Sequence, residues 1–371
     1  MIRKIKDSLL AIYKNRQIKL EQKNEERLVI DHLALSSFTP LTSNEKKSII
    51  KLWGVISKNI SFKEYEVFKT IRGFDPRYLS HSLYLPLISR RLNNYYYTTF
   101  FENKSLLGFL SSCSVMGFPR CYIRSINGEL YSNTMQQLDK KEAIKMCTGV
   151  DCFIKKVSQF SSGGEGVKLY DLTDMTFDER ARVCESVLES PYDFVVQERI
   201  VQHDDMSMFN RSSVNTLRFT SLYLNGNATI QNIILRIGKR GSFVDNMASG
   251  GIVVGVNGDG HLNSIAYDSC LNMFEEYNGV VFKNVVMPQV PDIAEKILFM
   301  HKTCFPLCKF IGWDICIDRN GEYIVLEVNT SQPGISGEQI NGGPIFGDRT
   351  SEVIDYCINK KFVYGRSILR Y

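Results

Sequence analysis

The spacing of hydrophobic residues divides the chain into a helical first part and a longer mixed part. Over residues 1–100 apolar side chains recur at helical spacing, and strand-like alternation is absent. From residue 103 onward, short apolar runs separated by polar turns predict strands with helices between them. The predicted elements are a helix after the capping box Thr42-x-x-Glu45, strands at 150–157 and 193–200, helices at 176–189 and 291–304, and an antiparallel meander over 214–268. Grouped strands with flanking helices, rather than strict β-α-β alternation, favour an α+β fold.

The first residues of the chain combine basic side chains with an apolar stripe. The stripe consists of Ile2, Ile5, Leu9 and Tyr13, set among Arg3, Lys4, Lys6 and Lys14. Such a basic amphipathic helix can lie on an anionic membrane surface. It can equally pack on the domain behind it, and packing is the more common arrangement.

Composition narrows the class of protein. The 371 residues are 44% hydrophobic and 23% charged, as expected of a globular chain with room for two or three subdomains. A formal charge of +5 without a basic stripe argues against a nucleic-acid partner. The ten cysteines include no CxxC pair, which favours a reducing cytoplasm over a zinc site or a disulfide framework. No apolar run approaches the length of a membrane-spanning helix.

Two acidic residues near the C-terminus are predicted to face each other across a hairpin. Two strand-like runs flank Asn320-Gly321, a dipeptide typical of a two-residue turn. That turn places Asp314 directly opposite Glu327, with Asn329 on the same face. Like charges in this position repel each other. They are therefore expected either to bind a divalent cation such as Mg²⁺ or to be screened on a solvated face.

A glycine-rich segment follows a strand that ends in two lysines. Residues 161–167, Ser-Ser-Gly-Gly-Glu-Gly-Val, could bring backbone N–H groups close to phosphate oxygens, with no side chain in the way. Lys155 or Lys156, at the end of the preceding strand, could neutralise the same phosphates. The segment lacks the order of a Walker motif and the spacing of a dinucleotide-binding fingerprint. An ordinary surface turn would have the same composition.

Polar groups also occur on the strands that follow. Gln197 and Glu198 end an apolar run, where a strand edge could hold an adenine or simply be an ordinary strand end. Arg218 and Arg236 lie on two strands joined by a turn at 225–227, and buried arginines would bind phosphate in a bidentate manner. A two-residue turn would put these arginines on opposite faces, and a three-residue turn on the same face. The sequence leaves that question open.

The order of these features resembles the ATP-grasp superfamily. A strand lysine, a glycine-rich loop, a Gln-Glu strand end, strand arginines, and then Asp and Glu-x-Asn follow one another in both. Residues 326–334, Leu-Glu-Val-Asn-Thr-Ser-Gln-Pro-Gly, are similar to the metal-binding strand of its carboxylate–amine ligases, including D-alanine–D-alanine ligases, with Gln332 as one extra residue. Motifs similar to those of the sugar-transfer-associated group, found in bacterial cell-surface polysaccharide loci, are residues 212–218, 244–246 with Gly250-Gly251, and 311–314.

The resemblance implies a set of site residues. Asp314, Glu327 and Asn329 would hold Mg²⁺ ions that bridge the phosphates of ATP. Arg218 would face the transferred phosphoryl group or the acyl phosphate, Lys155 would contact the phosphates, and Arg236 would complete the catalytic set. The residues implied in nucleotide binding are Lys104, Lys155, Ser162, Gly163, Gly164, Gly166, Gln197, Glu198, Ile200 and His203.

Two of these assignments carry an open question. The superfamily usually has Lys-Pro where this chain has Lys155-Lys156. Because neighbouring strand residues face opposite ways, the sequence does not decide which lysine points into the site. His203 is the only histidine placed near the site, and a structural role is favoured over a catalytic one.

The resemblance also implies a domain division and an activity. The expected ATP-grasp fold has two α+β subdomains that enclose ATP, preceded by a helical region. The expected division is a helical region (1–100), an αβ segment (101–146), a lid subdomain with the glycine-rich loop (147–200) and a core subdomain with the metal site (201–371).

The implied activity is that of a cytoplasmic bacterial ligase, which uses ATP to join a carboxylate to an amine through an acyl phosphate. The acid would be a uronic acid or another sugar derivative, free or as a sugar nucleotide or saccharide, and the amine an amino acid. The alternatives are a phosphotransferase acting on a small-molecule or sugar acceptor, and a non-catalytic ATP-binding module.

Overall fold

The computed structural model describes residues 13, 15–27, 38–158, 166–243 and 245–360. Within these ranges the chain forms two large antiparallel sheets with helices packed on them, so the predicted α+β class is confirmed. The N-terminal apolar stripe lies outside the described residues except for Tyr13, and so do Ser162, Gly163 and Gly164. None of the described helices is both long and apolar enough to cross a membrane.

The described residues before residue 103 contain helices and loops but no strand, as predicted. The helices are α1 (15–27), α2 (Ser43–Trp53), α3 (Lys63–Arg72), α4 (His81–Leu83), a π-helical turn (Tyr84–Ser89), α5 (Arg90–Leu92) and α6 (Tyr95–Glu102). Helix α2 begins at the predicted capping box, in which Thr42 and Glu45 each accept a hydrogen bond from the other's backbone N–H. Trp53 and Tyr84 of this region share a core with Phe310 and Phe346, so these helices pack on the C-terminal part of the chain.

The smaller sheet has six strands in the order β3-β2-β1-β6-β4-β5. This part comprises α7 (Lys104–Leu107), a 3₁₀ turn (Gly108–Cys113), β1 (Cys121–Ile126), β2 (Glu129–Ser132), β3 (Gln137–Leu138), α8 (Lys140–Thr148), β4 (Cys152–Val157), β5 (Val167–Asp171), α9 (Phe177–Leu188) and β6 (Phe194–Glu198). Helices α8 and α9 cover one face, where Cys147 and Val187 pack on Phe153 and Val196. Strands from the expected segments 101–146 and 147–200 therefore belong to one sheet.

The larger sheet has seven strands in the order β11-β10-β9-β8-β7-β14-β15. The remaining elements are α10 (Asp204–Ser207), β7 (Thr216–Leu224), β8 (Asn227–Ile237), β9 (Ile252–Val256), β10 (Leu262–Asp268), β11 (Met273–Phe274), β12 (Glu276–Tyr277), β13 (Val280–Val281), α11 (Val290–Thr303), β14 (Phe310–Ile317), β15 (Tyr323–Asn329), α12 (Ser336–Gly342), α13 (Thr350–Asn359) and 3₁₀ turns at Met247–Ser249, Phe282–Asn284 and Gly347–Arg349. Strands β7 to β10 are neighbours in chain order, so the predicted meander is confirmed.

Alternation along the central strands decides which side chains face the site. On one face of the large sheet, Phe219 and Trp313 are buried in the core with α11. Because successive strand residues point to opposite faces, Arg218 and Asp314 project from the other face.

Candidate active site

Arg218, Asp314 and Glu327 lie side by side on three adjacent strands of the large sheet. Asp314 pairs with Arg218 across β7 and with Glu327 across β15. The predicted opposition of Asp314 and Glu327 is confirmed, but the predicted two-residue turn is wrong. Asp318 and Glu322 close a loop of the three residues between them, and a bulge at Leu326 then moves the register by one residue and restores the pairing.

A second bulge brings Arg236 to the same face as Arg218. Strands β7 and β8 are joined by a two-residue turn at Asn225-Gly226, which on its own would put the two arginines on opposite faces. One extra residue on β8, Gln231, shifts the pairing. Both guanidinium groups therefore reach Asp314.

The carboxylate of Asp314 accepts hydrogen bonds from three side chains. Arg218 donates from Nε and Nη2 to the two carboxylate oxygens, and Nη2 lies 2.8 Å from Oδ2. Arg236 Nη1 lies 3.2 Å from the same Oδ2, and Asn329 Nδ2 lies 3.5 Å from it. Burial would raise the pKa of Asp314, but Arg218 and then Arg236 outweigh burial and lower the pKa to about 2. The carboxylate is therefore ionised throughout the physiological range.

The two lysines at the end of β4 point to opposite faces, which answers the question left open by the sequence. Lys155 is on the same face as Phe153, and its Nζ donates to the carbonyl oxygen of Val187 in α9 at 2.5 Å. The expectation that Lys155 reaches the site is therefore corrected, since strand alternation turns it towards the helices. Lys156 points to the other face of the sheet, where it lines the cavity between the two sheets. Burial lowers the pKa of Lys156, an effect that Glu327 opposes.

One cavity of about 500 Å³ lies between the two sheets, within the range of roughly 300–1,000 Å³ typical of ligand pockets. The predicted site residues that line it are Lys104, Gln197, Glu198, Ile200, Arg218, Arg236, Asp314, Glu327 and Asn329. Lys104 Nζ lies 3.0 Å from Glu327 Oε1. Next to Gln197 and Glu198 the lining is apolar, formed by Ile154, Ile200, Val214 and Leu326. The cavity thus combines an apolar region with a charged one.

Two other predicted residues do not line the cavity. His203 caps α10, where its Nδ1 accepts the backbone N–H of Asp205 at 3.2 Å, in keeping with the structural role favoured from the sequence. Gly166 precedes β5 with a φ of +75°, and a Cβ at this position would lie 2.7 Å from Val157 Cγ2. Its backbone therefore requires glycine.

Sequence reasoning missed several groups that complete the charged part of the cavity. Asp245 accepts hydrogen bonds from Thr216 Oγ1 and, at 3.2 Å, from Arg236 Nη2. Burial raises the pKa of Asp245, although Arg236 opposes it. Glu338 is only 3% exposed, with Oε1 3.8 Å from Arg218 Nη1. Asp245 stood in a motif quoted for the resemblance without a role, whereas Glu338, eleven residues beyond Glu327, had no local signal.

The donor set suits a cation that takes some of its ligands from a phosphate. Among the described residues, no three or more His, Cys, Asp or Glu side chains are placed to hold a metal ion together. Asp314 and Glu327 nevertheless offer two carboxylates, and Asn329 offers an amide oxygen. Mg²⁺ is commonly bound by one or two carboxylates with substrate phosphates completing its octahedron. The residues present therefore fit a Mg²⁺–nucleotide complex.

Some solved structures are similar to this chain at low sequence identity. D-alanyl-alanine synthetase A from Vibrio cholerae is 16% identical, with a TM-score of 0.38 over 72% of this chain and 66% of its own. L-amino acid ligase from Bacillus licheniformis is 12% identical, with a TM-score of 0.39 over 71% of this chain and 49% of its own. Biotin carboxylase from Campylobacter jejuni is 10% identical, with a TM-score of 0.43 over 72% of this chain and 48% of its own. The chain thus spans about half to two thirds of the length of these structures.

A protein family matches most of this chain. No match was found among curated proteins. The family described as "Sugar-transfer associated ATP-grasp" matches residues 87–354, which include every predicted site residue and every strand of both sheets. The match confirms the ATP-grasp fold expected from the order of the motifs. This chain belongs to the sugar-transfer associated ATP-grasp family.

Proposed function

We propose that this protein is an ATP-dependent, ADP-forming carboxylate–amine ligase that amidates a uronic acid or another sugar carboxylate with an amino acid or amine, in cell-surface polysaccharide biosynthesis. The observation that carries the proposal is the row of Arg236, Arg218, Asp314 and Glu327 across the floor of the cavity. It sets two guanidinium groups directly beside hard oxygen donors for a cation. Family membership supports the sugar-linked setting.

Adenine and the phosphates would occupy different parts of the cavity. Ile154, Ile200, Val214 and Leu326 offer apolar surface for the faces of the base, and Gln197 offers polar groups for its edge. Lys104 and Lys156 would neutralise the phosphates. Asp314, Glu327 and Asn329 would hold Mg²⁺, which would reduce the negative charge on the phosphates.

The ligase chemistry needs two displacement steps. A carboxylate oxygen attacks the γ-phosphorus of ATP, so that an acyl phosphate forms and ADP leaves. An amine then attacks the acyl carbon, the bond from carbon to the phosphate oxygen breaks, and inorganic phosphate leaves with the electron pair. Arg218 is suited to both steps because Asp314 fixes its planar guanidinium through Nε and Nη2, so that Nη1 can donate to the phosphoryl oxygens in each. Arg236 supports it from the neighbouring strand.

The test measures Mg²⁺-dependent ADP release. Free hexuronic acids and their UDP-linked forms are crossed with amino acids, and the products are identified by mass spectrometry. Release that requires both acid and amine, with an amide product, is the expected result. Release with a single acceptor that gains one phosphoryl group would instead make the protein a kinase, and ATP binding without any turnover would make it a binding module.

A matched pair of variants ties any activity to the site. Glu327→Gln removes a carboxylate of the proposed cation site, and Glu322→Gln makes the same change at an exposed position on the same hairpin. Activity should be lost in the first variant and kept in the second. Normal turnover by Glu327→Gln would refute the assignment of the site.

A further inference from the structure

The N-terminal helices contribute a histidine to the cavity. His81 is the one lining residue among the described residues that precedes the range matched by the family, 87–354. It begins α4, and its side chain is 15% exposed. The row of Arg236, Arg218, Asp314 and Glu327 belongs to the large sheet and includes no residue of the N-terminal helices. The ligase chemistry proposed above therefore gives His81 no role.

A buried carboxylate fixes the orientation of the His81 ring. Glu64 in α3 is 1% exposed, and both of its oxygens accept the backbone N–H of His81 at 2.9 Å. Glu64 Oε2 also lies 3.0 Å from His81 Nδ1. Because an ionised carboxylate only accepts hydrogen bonds, Nδ1 carries a proton. In neutral His81 the other ring nitrogen, Nε2, is then the basic one.

Nε2 faces the region next to Arg218. Its partner is the hydroxyl of Ser336, 3.1 Å away at the start of α12. Glu338 is two residues further along α12 and lies 3.8 Å from Arg218 Nη1. Ser336, Glu338 and Arg218 all line the cavity with His81. The basic nitrogen thus lies on the α12 side of the arginine that would bind the acyl phosphate, away from the apolar region suited to adenine.

We propose that His81, oriented by Glu64, is the base that takes the proton from the attacking amine. The inference rests on the proposed ligase function. The departing phosphate, which leaves with the electron pair, can take the proton that the nitrogen loses after it bonds to the acyl carbon. Before the attack, however, the ammonium form of the amine must give up one proton to free the nitrogen lone pair. That proton passes to Nε2, while Nδ1–H remains hydrogen-bonded to Glu64, whose negative charge stabilises the imidazolium. Orientation of a histidine base by a buried carboxylate is an established catalytic arrangement.

The charges around His81 suit this role. Burial lowers the pKa of His81, but Glu64, Glu25 and Glu338, from three different helices, raise it to a net value above the ordinary one. A base of this kind is most effective when its pKa lies near the working pH. The same carboxylates would also attract the ammonium form of an amine substrate.

The test compares two nucleophiles in three proteins. At neutral pH hydroxylamine is mostly unprotonated and captures acyl phosphates without a general base, whereas glycine is present almost entirely in its ammonium form and must lose a proton before it can attack. Wild type, His81→Asn and His261→Asn are assayed with ATP, Mg²⁺ and glucuronic acid, free or UDP-linked, plus either nucleophile. Asparagine can keep the hydrogen bond to Glu64 but has no group at Nε2. His261 is an exposed histidine at a β-turn, paired with Asp259, and serves as the control.

For His81→Asn we expect amide formation with glycine to fall about 100-fold or more, the range of general-base catalysis, with hydroxamate formation unchanged within about threefold. The change in slope of the pH–rate profile at the pKa of His81, seen with glycine, should disappear in this variant only. An equal loss with both nucleophiles, or no loss with either, would overturn the role of His81. If the wild type yields neither hydroxamate nor amide, the proposed ligase function itself fails, which is a distinct outcome.

Discussion

Arg218 lies opposite Asp314 in the pairing of β7 with β14, and its guanidinium donates to both oxygens of that carboxylate. The pair is almost fully buried, with side-chain exposures of 11% and 6%. Two parallel hydrogen bonds from one rigid plane hold the carboxylate in a single orientation, which a lysine ammonium cannot do.

Replacing Arg218 by lysine should therefore impair the reaction while keeping the charge. We expect kcat for ADP release to fall about 10²-fold, the usual cost of losing one positioned donor in a transition state. Arg211→Lys, an exposed change shortly before β7, is the control and should keep full activity. An Arg218→Lys enzyme with normal kcat would show that bidentate geometry is not required.

The lowered pKa of Asp314 predicts an acid-dependent contribution to stability. The folded pKa of about 2 is below the ordinary value of 3.8. The ionised form therefore stabilises the fold above about pH 4, and this stabilisation, about 2 kcal/mol, is lost as the pH falls towards 2. The measurement is the difference in free energy of unfolding between wild type and Asp314→Asn, by urea denaturation at several pH values. The difference should be constant near neutrality and shrink at acid pH, and a pH-independent difference would contradict the prediction.

The lysine pair offers a test in which one residue controls for its neighbour. Lys156→Met removes a cation from the cavity, so ATP binding should weaken about 10- to 100-fold, the worth of one charged hydrogen bond. Lys155→Met removes the hydrogen bond to the carbonyl oxygen of Val187 and the ammonium group that lies 4.4 Å from the centre of the Phe194 ring. It should lower the stability of the small sheet and leave the affinity for ATP unchanged. Isothermal titration calorimetry with a non-hydrolysable ATP analogue measures the affinity of both variants, and urea denaturation measures their stability. The opposite ranking of affinities would show that Lys155 reaches the nucleotide.

Local sequence patterns predicted the strands of the site but not the two β-bulges that align them. The loop of this hairpin has one residue more than the two-residue turn predicted at Asn320-Gly321. The extra residue Leu326 on β15 compensates for that difference, so that Asp314 still lies opposite Glu327. Between β7 and β8 the extra residue is Gln231, and without it Arg236 would face away from Arg218. A β-bulge depends on how two strands pair in the folded sheet, and neither glutamine nor leucine marks one in a sequence.

Groups that approach from distant parts of the chain were equally beyond prediction. Glu338 reaches Arg218 because α12 packs on β8 and β9, and His81 reaches Ser336 across 255 residues. Neither contact has a spacing that a local motif could reveal. Lys156 was closer to prediction, because strand alternation required one of the two neighbouring lysines to face the site. The sequence did not reveal the packing of α9 against β4, which decides between them.

The buried pair of Glu64 and His81 yields a prediction that does not depend on any activity. Burial disfavours the imidazolium, and Glu64 is the largest of the charges that reverse this effect and raise the pKa. In Glu64→Gln, burial should prevail, and the pKa of His81 should fall below the ordinary value of 6.5. Because the folded pKa in the wild type is raised, the stabilisation due to protonated His81 is complete below about pH 6.5 and is lost as the pH rises through the folded pKa.

NMR titration of ¹³Cε1-labelled histidines measures this pKa directly, and the signal missing from His81→Asn assigns the resonance. The free energy of unfolding of the wild type, relative to Glu64→Gln, should decrease as the pH rises through the measured value. A His81 resonance that titrates at the same pH in wild type and Glu64→Gln would show that the carboxylate does not control the protonation of this ring. In that case the orientation of Nε2 towards the cavity would have to come from Ser336 alone.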